Sequence, residues 1–144
     1  MRTNRTVLAG GYVSESMDGK PVSTLMGEYE DADVGTLRMR TMPNMWIHAS
    51  CDHAVSTRLL PSGHEKTSVR VTWLVDRNAV EGRDFHLEKL MPFWQLTSEQ
   101  DWSLCRAAHR GVTSNGYRPG PLSIHKEYNV DAFIRWYLKS LRTL

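Results

Sequence analysis

The spacing of apolar residues changes once along this chain, near Glu81-Gly82, and that change limits the fold more than any other feature. Before it, apolar and polar residues alternate, which is the period of a half-buried strand. Between Val34 and Met42, Leu37 and Met39 alternate with Arg38 and Arg40; further on, Met45, Ile47 and Ala49 alternate with Trp46 and His48. A third strand is predicted over Ala54 to Leu60, after a turn at Cys51-Asp52. Pro61-Ser62-Gly63-His64 reads as a hairpin loop into a fourth strand, with Val69, Val71, Trp73 and Val75 on one face. Strands joined by such short loops make an antiparallel meander.

After Glu81-Gly82 the period becomes helical. Asp84 is a suitable N-cap, and Pro92 fits a first helical turn better than an interior. These signals predict a short helix near residues 85–91, a kink, and a longer helix from about 92 to 110 closed by Gly111. A Gly- and Pro-rich loop follows from Val112 to Ser123. In the last helix Val130, Phe133, Ile134, Tyr137, Leu138 and Leu141 form one stripe, with Asp131, Arg135, Lys139 and Arg142 facing water. Gly10-Gly11 and Asp18-Gly19-Lys20-Pro21 mark turns in the opening segment, and residues 26–33 form an acidic, exposed connector. Strands followed by helices in 144 residues give an α+β chain, residues 1–144 being read as a single domain.

A net charge of +2 provides no strong basic field, so nucleic acid is not an expected partner. Two distant cysteines fit a reducing compartment rather than a disulfide framework. The polar start M-R-T-N-R-T lacks the apolar segment of a signal peptide, and no apolar run reaches membrane-spanning length. A cytoplasmic chain with no membrane contact is expected.

One residue breaks the helical pattern. Leu90, Trp94, Thr97, Asp101, Cys105 and Ala108 recur at three- and four-residue spacing, so Asp101 is an acid on a largely apolar, inward stripe. A buried carboxylate needs a partner or gives up its charge. That partner is an arginine such as Arg106 or Arg110, a set of backbone N–H groups, or a metal ion.

The residues around it carry a family likeness. Trp94 to Gly111, then Ser114, Tyr117, Pro119-Gly120-Pro121-Leu122-Ser123, Glu127 and Phe133-x-x-Trp136-Tyr137, resemble the C-terminus of Rieske-type non-haem iron oxygenase α subunits. The likeness is to the ring-hydroxylating family, in its glycine-betaine and carnitine oxygenase branch. It extends upstream through Ser14, Met17-Asp18-Gly19-Lys20-Pro21, Pro43-Asn44, Asp52-His53, Leu60-Pro61, Trp73-Leu74-Val75 and Ala79-Val80-Glu81-Gly82-x-Asp84. The resemblance implies a helix-grip (START-like) fold, in which an antiparallel sheet packs on a long helix and a C-terminal amphipathic helix follows. It also implies that Asp101, in Glu99-Gln100-Asp101, is the carboxylate of a two-His, one-carboxylate Fe(II) site.

Other family parts are not in this sequence. A 2Fe-2S Rieske cluster needs C-x-H and C-x-x-H pairs, whereas Cys51 and Cys105 stand in neither. The six histidines contain no H-x-x-x-x-H pair to complete an iron site. The chain therefore resembles the C-terminal portion of a catalytic domain and is not expected to be active alone. The implied partners are an N-terminal Rieske-bearing half or partner subunit, an NAD(P)H-dependent reductase and a small-molecule substrate undergoing hydroxylation or N-demethylation. Because the family closes its sheet with strands from that other half, an exposed sheet edge and a homo-oligomer are further expectations.

Trp94 and Thr97 share the Asp101 face, and Trp46, His48 and Trp73 lie on strands expected to curve around that helix, so these five are candidate substrate-binding residues. Indole rings suit a trimethylammonium group through cation–π attraction, although large aromatics also fill ordinary cores. Cys51-Asp52-His53 looks like a chemical cluster but reads as a turn between strands, and Cys105 as a small buried apolar residue. His109 stands where relatives carry Gln. The alternative to an oxygenase segment is a stand-alone helix-grip module for a small ligand, or an inactive remnant.

Overall fold

The computed structural model describes residues 2–143, which divide into two compact units, one ending at Asp101 and one beginning at Trp102. The first unit is built on a five-stranded antiparallel sheet: β1 (Arg2–Thr6), β2 (Thr36–Thr41), β3 (Met45–Ala49), β4 (His53–Pro61) and β5 (Thr67–Val75), in that spatial order. The helices are α1 (Leu87–Leu90), α2 (Pro92–Val112), which crosses from the first unit into the second, and α3 (Tyr128–Leu141) in the second. This is the expected α+β meander with a C-terminal helix. No helix among the described residues is long and apolar enough to cross a membrane.

β4 and β5 pair along their full length, from His53↔Val75 to Pro61↔Thr67. Val69, Val71, Trp73 and Val75 are partly covered while Ser68, Arg70, Thr72 and Leu74 are exposed, so the period-two reading of β5 holds. β1 has no counterpart in the sequence reading, because Arg2-Thr3-Asn4-Arg5-Thr6 contains no apolar residue to reveal a period. It forms by laddering on β2, from Arg2↔Arg40 to Thr6↔Thr36. Gly35 makes this approach possible. Its φ is +67°, and a Cβ there would lie 2.7 Å from the Thr6 carbonyl oxygen, closer than a side chain can sit.

Cross-strand register fixes which side chains share a face. Arg38, His48, Val55 and Trp73 are successive partners across β2, β3, β4 and β5, and Arg40, Trp46, Thr57 and Val71 form the neighbouring row on the same face. Arg38 and Arg40 therefore share the face of Trp46, His48 and Trp73. The buried side chains are few and largely polar: Ser14, Glu15, Ser16, Thr36, Ser50, Asp52, His53 and Thr57 accompany Cys51, Ala54, Val55 and Leu90 among the described residues.

Helix boundaries depart from expectation at two points. Asp84 does not cap α1; its carboxylate accepts the Val80 N–H at 2.8 Å and pairs with Arg83 at 2.7 Å, and His86 occupies the N-cap without a side-chain bond. The carboxylate closes its own turn first, which removes it from the helix end. Gly111 does not end α2, which runs through it to Val112. The Thr113 and Ser114 hydroxyls close the helix instead, donating to the His109 and Gly111 carbonyls at 3.0 and 2.8 Å.

In the second unit, α3 carries an Asp131–Arg135 ion pair at 2.8 Å and a Phe133–Tyr137 stack at 6.3 Å. Its apolar stripe is present as expected, but Val130, Phe133, Ile134, Tyr137, Leu138 and Leu141 are all substantially exposed among the described residues.

Candidate functional site

α2 meets the sheet through Trp94, whose ring lies edge-on to His48 at 4.7 Å between centroids and 86° between planes. Phe93 meets Trp94 at 5.6 Å in the same edge-to-face manner. Two of the five candidate binding residues, His48 and Trp94, are thus in direct contact. Trp46 is on the same sheet face, two positions along β3 from His48. Trp73 lies two strands away, with Val55 between it and His48 in register. Thr97 is half-buried on α2 and donates its hydroxyl to the Phe93 carbonyl at 2.8 Å. The Trp73 and Trp94 indole N–H groups are buried without a partner among the described residues.

Two residues not foreseen in the sequence complete the cluster. Glu15, buried in the opening segment, places one carboxylate oxygen 3.4 Å from Arg38 Nη2 and the other 3.5 Å from His48 Nδ1. Its own N–H donates to Ser50 Oγ at 3.2 Å. Arg38↔His48 register could be inferred from the alternation of their strands once the Pro43-Asn44 turn is placed. Glu15 gave no such signal, because Ser14-Glu15-Ser16 is polar and aperiodic and its partners lie 23 and 33 positions ahead.

Asp101 is not inward. Leu90 is buried and Trp94 and Thr97 are half-buried, but every residue from 99 to 126 is exposed, Asp101, Cys105 and Ala108 included. An apolar stripe signals that a helix face is meant to be covered, and nothing among the described residues covers this one beyond Ser98. The Asp101 carboxylate has no hydrogen bond or ion pair among the described residues, so the alternative bridge to Arg106 or Arg110 is absent there.

The buried acid of this chain is Asp52, fully enclosed at the turn between β3 and β4. Ser14 Oγ donates to its Oδ1 at 2.6 Å, the Val22 N–H to its Oδ2 at 2.7 Å, and His53 Nδ1 lies 3.1 Å from Oδ1. Burial pushes the Asp52 carboxyl up, but the adjacent His53, the Ser14 hydroxyl and the Val22 N–H outweigh it and hold it at about 2. Desolvation first, and then the Asp52 charge, push the Cys51 thiol up to about 12. A protonated, enclosed thiol and a fully engaged carboxylate are not nucleophilic machinery. They stand at the turn that the sequence predicts, and they fasten the opening segment to the sheet.

A metal ion needs several convergent donors. Among the described residues no group of three or more His, Cys, Asp or Glu side chains could hold one, and Asp101 offers a single free carboxylate. These residues do not make an iron site by themselves.

Comparison with known proteins places the cluster in context. A model of the ring hydroxylating alpha subunit (catalytic domain) matches residues 5–143. The glycine betaine monooxygenase oxygenase subunit of Chromohalobacter salexigens is 43% identical over 137 residues, which cover 94% of this chain and 31% of that protein. The subunit of the same name from Pseudomonas aeruginosa is 38% identical over 137 residues, covering 94% of this chain and 32% of that protein. The chain thus spans about a third of the length of the curated relatives it matches. With nearly all of its residues matched in one colinear stretch, this chain belongs to the ring-hydroxylating oxygenase α-subunit family, within its catalytic domain.

Proposed function

We propose that residues 1–144 are the C-terminal portion of one catalytic domain of a Rieske non-haem iron oxygenase, and that the complete enzyme carries out O₂-dependent oxidation of a small quaternary-ammonium carboxylate such as glycine betaine. Asp101 is the observation that carries this reading. It is a free carboxylate, in the family's Glu-Gln-Asp setting, on the helix whose preceding turns, through Trp94, pack on the sheet face bearing His48.

In this reading Asp101 contributes one charged oxygen donor to Fe(II), and the other donors come from the two-thirds of the relatives' length that this chain does not span. The iron supplies O₂ activation, with electrons from a 2Fe-2S cluster fed by an NAD(P)H-dependent reductase. The residues of this chain bind and orient. Trp46, Trp73 and Trp94 offer aromatic surface to methylated ammonium, the Thr97 methyl adds apolar contact, and His48 offers a polar edge. The matched relatives are named for a monooxygenase acting on glycine betaine, which supports that substrate class.

The test is reconstitution. This chain is co-expressed with the N-terminal two-thirds of the Chromohalobacter salexigens relative and supplied with a reductase, NADH and glycine betaine. Oxygen uptake matched by formaldehyde release, absent when this chain is omitted, is the expected result. A complex that assembles and holds iron yet consumes no oxygen with any quaternary amine would overturn the reading. The lack of a three-donor group among the described residues favours the second reading, a stand-alone binding module, which would take up a quaternary amine with no iron present.

A further inference from the structure

We infer that the free edge of β5 is an interface between two copies of this chain, which pair β5 on β5 in antiparallel fashion about a two-fold axis at Val71. The inference goes beyond the oxygenase reading and does not depend on it.

β5 is the last strand of the sheet, and among the described residues no strand or helix other than β4 packs along it. The direction of its backbone groups follows from β4. The Ser50 N–H donates to the His53 carbonyl and the Leu59 N–H to the Asn44 carbonyl, each at 2.9 Å and each on the β3 side. Backbone groups alternate in direction along a strand, so His53, Val55, Thr57 and Leu59 face β3, while Ala54, Ser56, Arg58 and Leu60 face β5. Their register partners Leu74, Thr72, Arg70 and Ser68 therefore spend their backbone groups on β4. Thr67, Val69, Val71, Trp73 and Val75 are left with N–H and C=O groups pointing away from the sheet, without partners among the described residues. A nine-residue edge with no proline, no glycine and an unbroken register is a template for another strand. The opposite edge is blunted, because β1 is five residues long and has no apolar residue.

Self-complementarity identifies the occupant. An axis at Val71 pairs β5 over its whole length, bonding every outward-facing residue and making about ten backbone hydrogen bonds. On the partly covered face Val69 meets the partner's Trp73, a β-branched–aromatic pair of the kind that stabilises sheets. On the exposed face Arg70 meets the partner's Thr72. Moving the axis to position 70 sets Arg70 against the partner's Arg70, where Arg58 of β4 already stands opposite it, and like charges in such positions repel. Moving it in either direction leaves end residues unbonded. A two-fold also closes the assembly, whereas β5 on the β1 edge of another copy would be head-to-tail and open-ended.

The 144-residue chain tests this directly. Sedimentation equilibrium should show the 16.5 kDa chain in reversible exchange with a species of twice that mass. Amide exchange at Val69, Val71 and Trp73 should slow by about tenfold or more as the chain is concentrated. Val71→Pro removes an N–H that β4 does not use, so it should weaken the dimer by about tenfold or more while circular dichroism shows an intact sheet. Thr72→Glu and Thr72→Arg read the register: opposite the partner's Arg70, the first should tighten the dimer and the second weaken it, each by about three- to tenfold. Should Val71→Pro not fold, amide exchange and the Thr72 variants still decide. A chain that stays monomeric, a dimer unchanged by Val71→Pro in a folded chain, or equal effects of the two Thr72 variants would each overturn the inference. So would protection of Val69, Val71 and Trp73 that appears only when the N-terminal two-thirds of the Chromohalobacter salexigens relative is added, which would give the edge to that segment instead.

Discussion

Two acids in this chain stand in opposite surroundings. Asp52 is enclosed at the β3–β4 turn, where two hydrogen-bond donors and His53 surround it. Asp101 is exposed on α2 with no partner among the described residues. The first has spent its bonding capacity on the fold, and the second keeps its capacity available. A buried acid is thus no indication of chemistry by itself: full satisfaction marks a structural residue, and an unspent carboxylate in a family motif marks a candidate ligand.

This contrast can be broken at several points. The largest difference concerns the two thiols that accompany the acids. At neutral pH a disulfide reagent should modify the exposed Cys105 readily, and Cys51 about a thousandfold more slowly than an ordinary thiol of pKa 9.0, since a pKa of about 12 depletes the thiolate by that factor even before burial is counted. Comparable labelling rates would show that the turn is not closed. Next, Asp52→Ala should cost about 3–5 kcal/mol in chemical denaturation, because it strands the Ser14 and Val22 donors and the His53 partner in the interior. A loss below about 1 kcal/mol would place Asp52 among surface acids.

The pH dependence is a smaller effect with a defined direction. The folded carboxyl of Asp52 sits at about 2 against an ordinary 3.8, so its contribution is complete above about pH 4 and disappears as pH falls towards 2. The interval corresponds to about 2 kcal/mol. Wild-type stability should decline across that window, and the Asp52→Asn variant should lack that part of the decline. The smallest effect is expected at the other acid: Asp101→Ala should change stability by no more than about 0.5 kcal/mol, since it removes no contact.

What could be read in advance followed from where the signal lies. β4, β5 and α3 stand close to where local sequence signals place them, and the alternation of β5 gives its covered and exposed residues, whereas the apolar stripe of α3 is exposed among the described residues. β1 has no apolar residue and exists through its ladder with β2. Asp101 stands out by interrupting an apolar stripe, yet it is exposed, because periodicity reports that a face is to be covered and not which part of a protein covers it. His48 and Trp94 could be nominated from strand and helix faces, and they do meet. Glu15 and the Ser14–Asp52 link have no signature in the sequence, since polar contacts spanning 33 to 38 positions between polar, aperiodic segments leave no local pattern.

The central claim is that Asp101 is held in reserve for a metal and Asp52 is not. The direct measurement is iron content, by elemental analysis, of the reconstituted complex made with wild-type, Asp101→Ala and Asp52→Asn chains. Iron retained by the wild type and by whatever Asp52→Asn complex assembles, but lost from a folded Asp101→Ala complex, is the expected result. Undiminished iron in the Asp101→Ala complex would contradict it and return Asp101 to an ordinary surface acid.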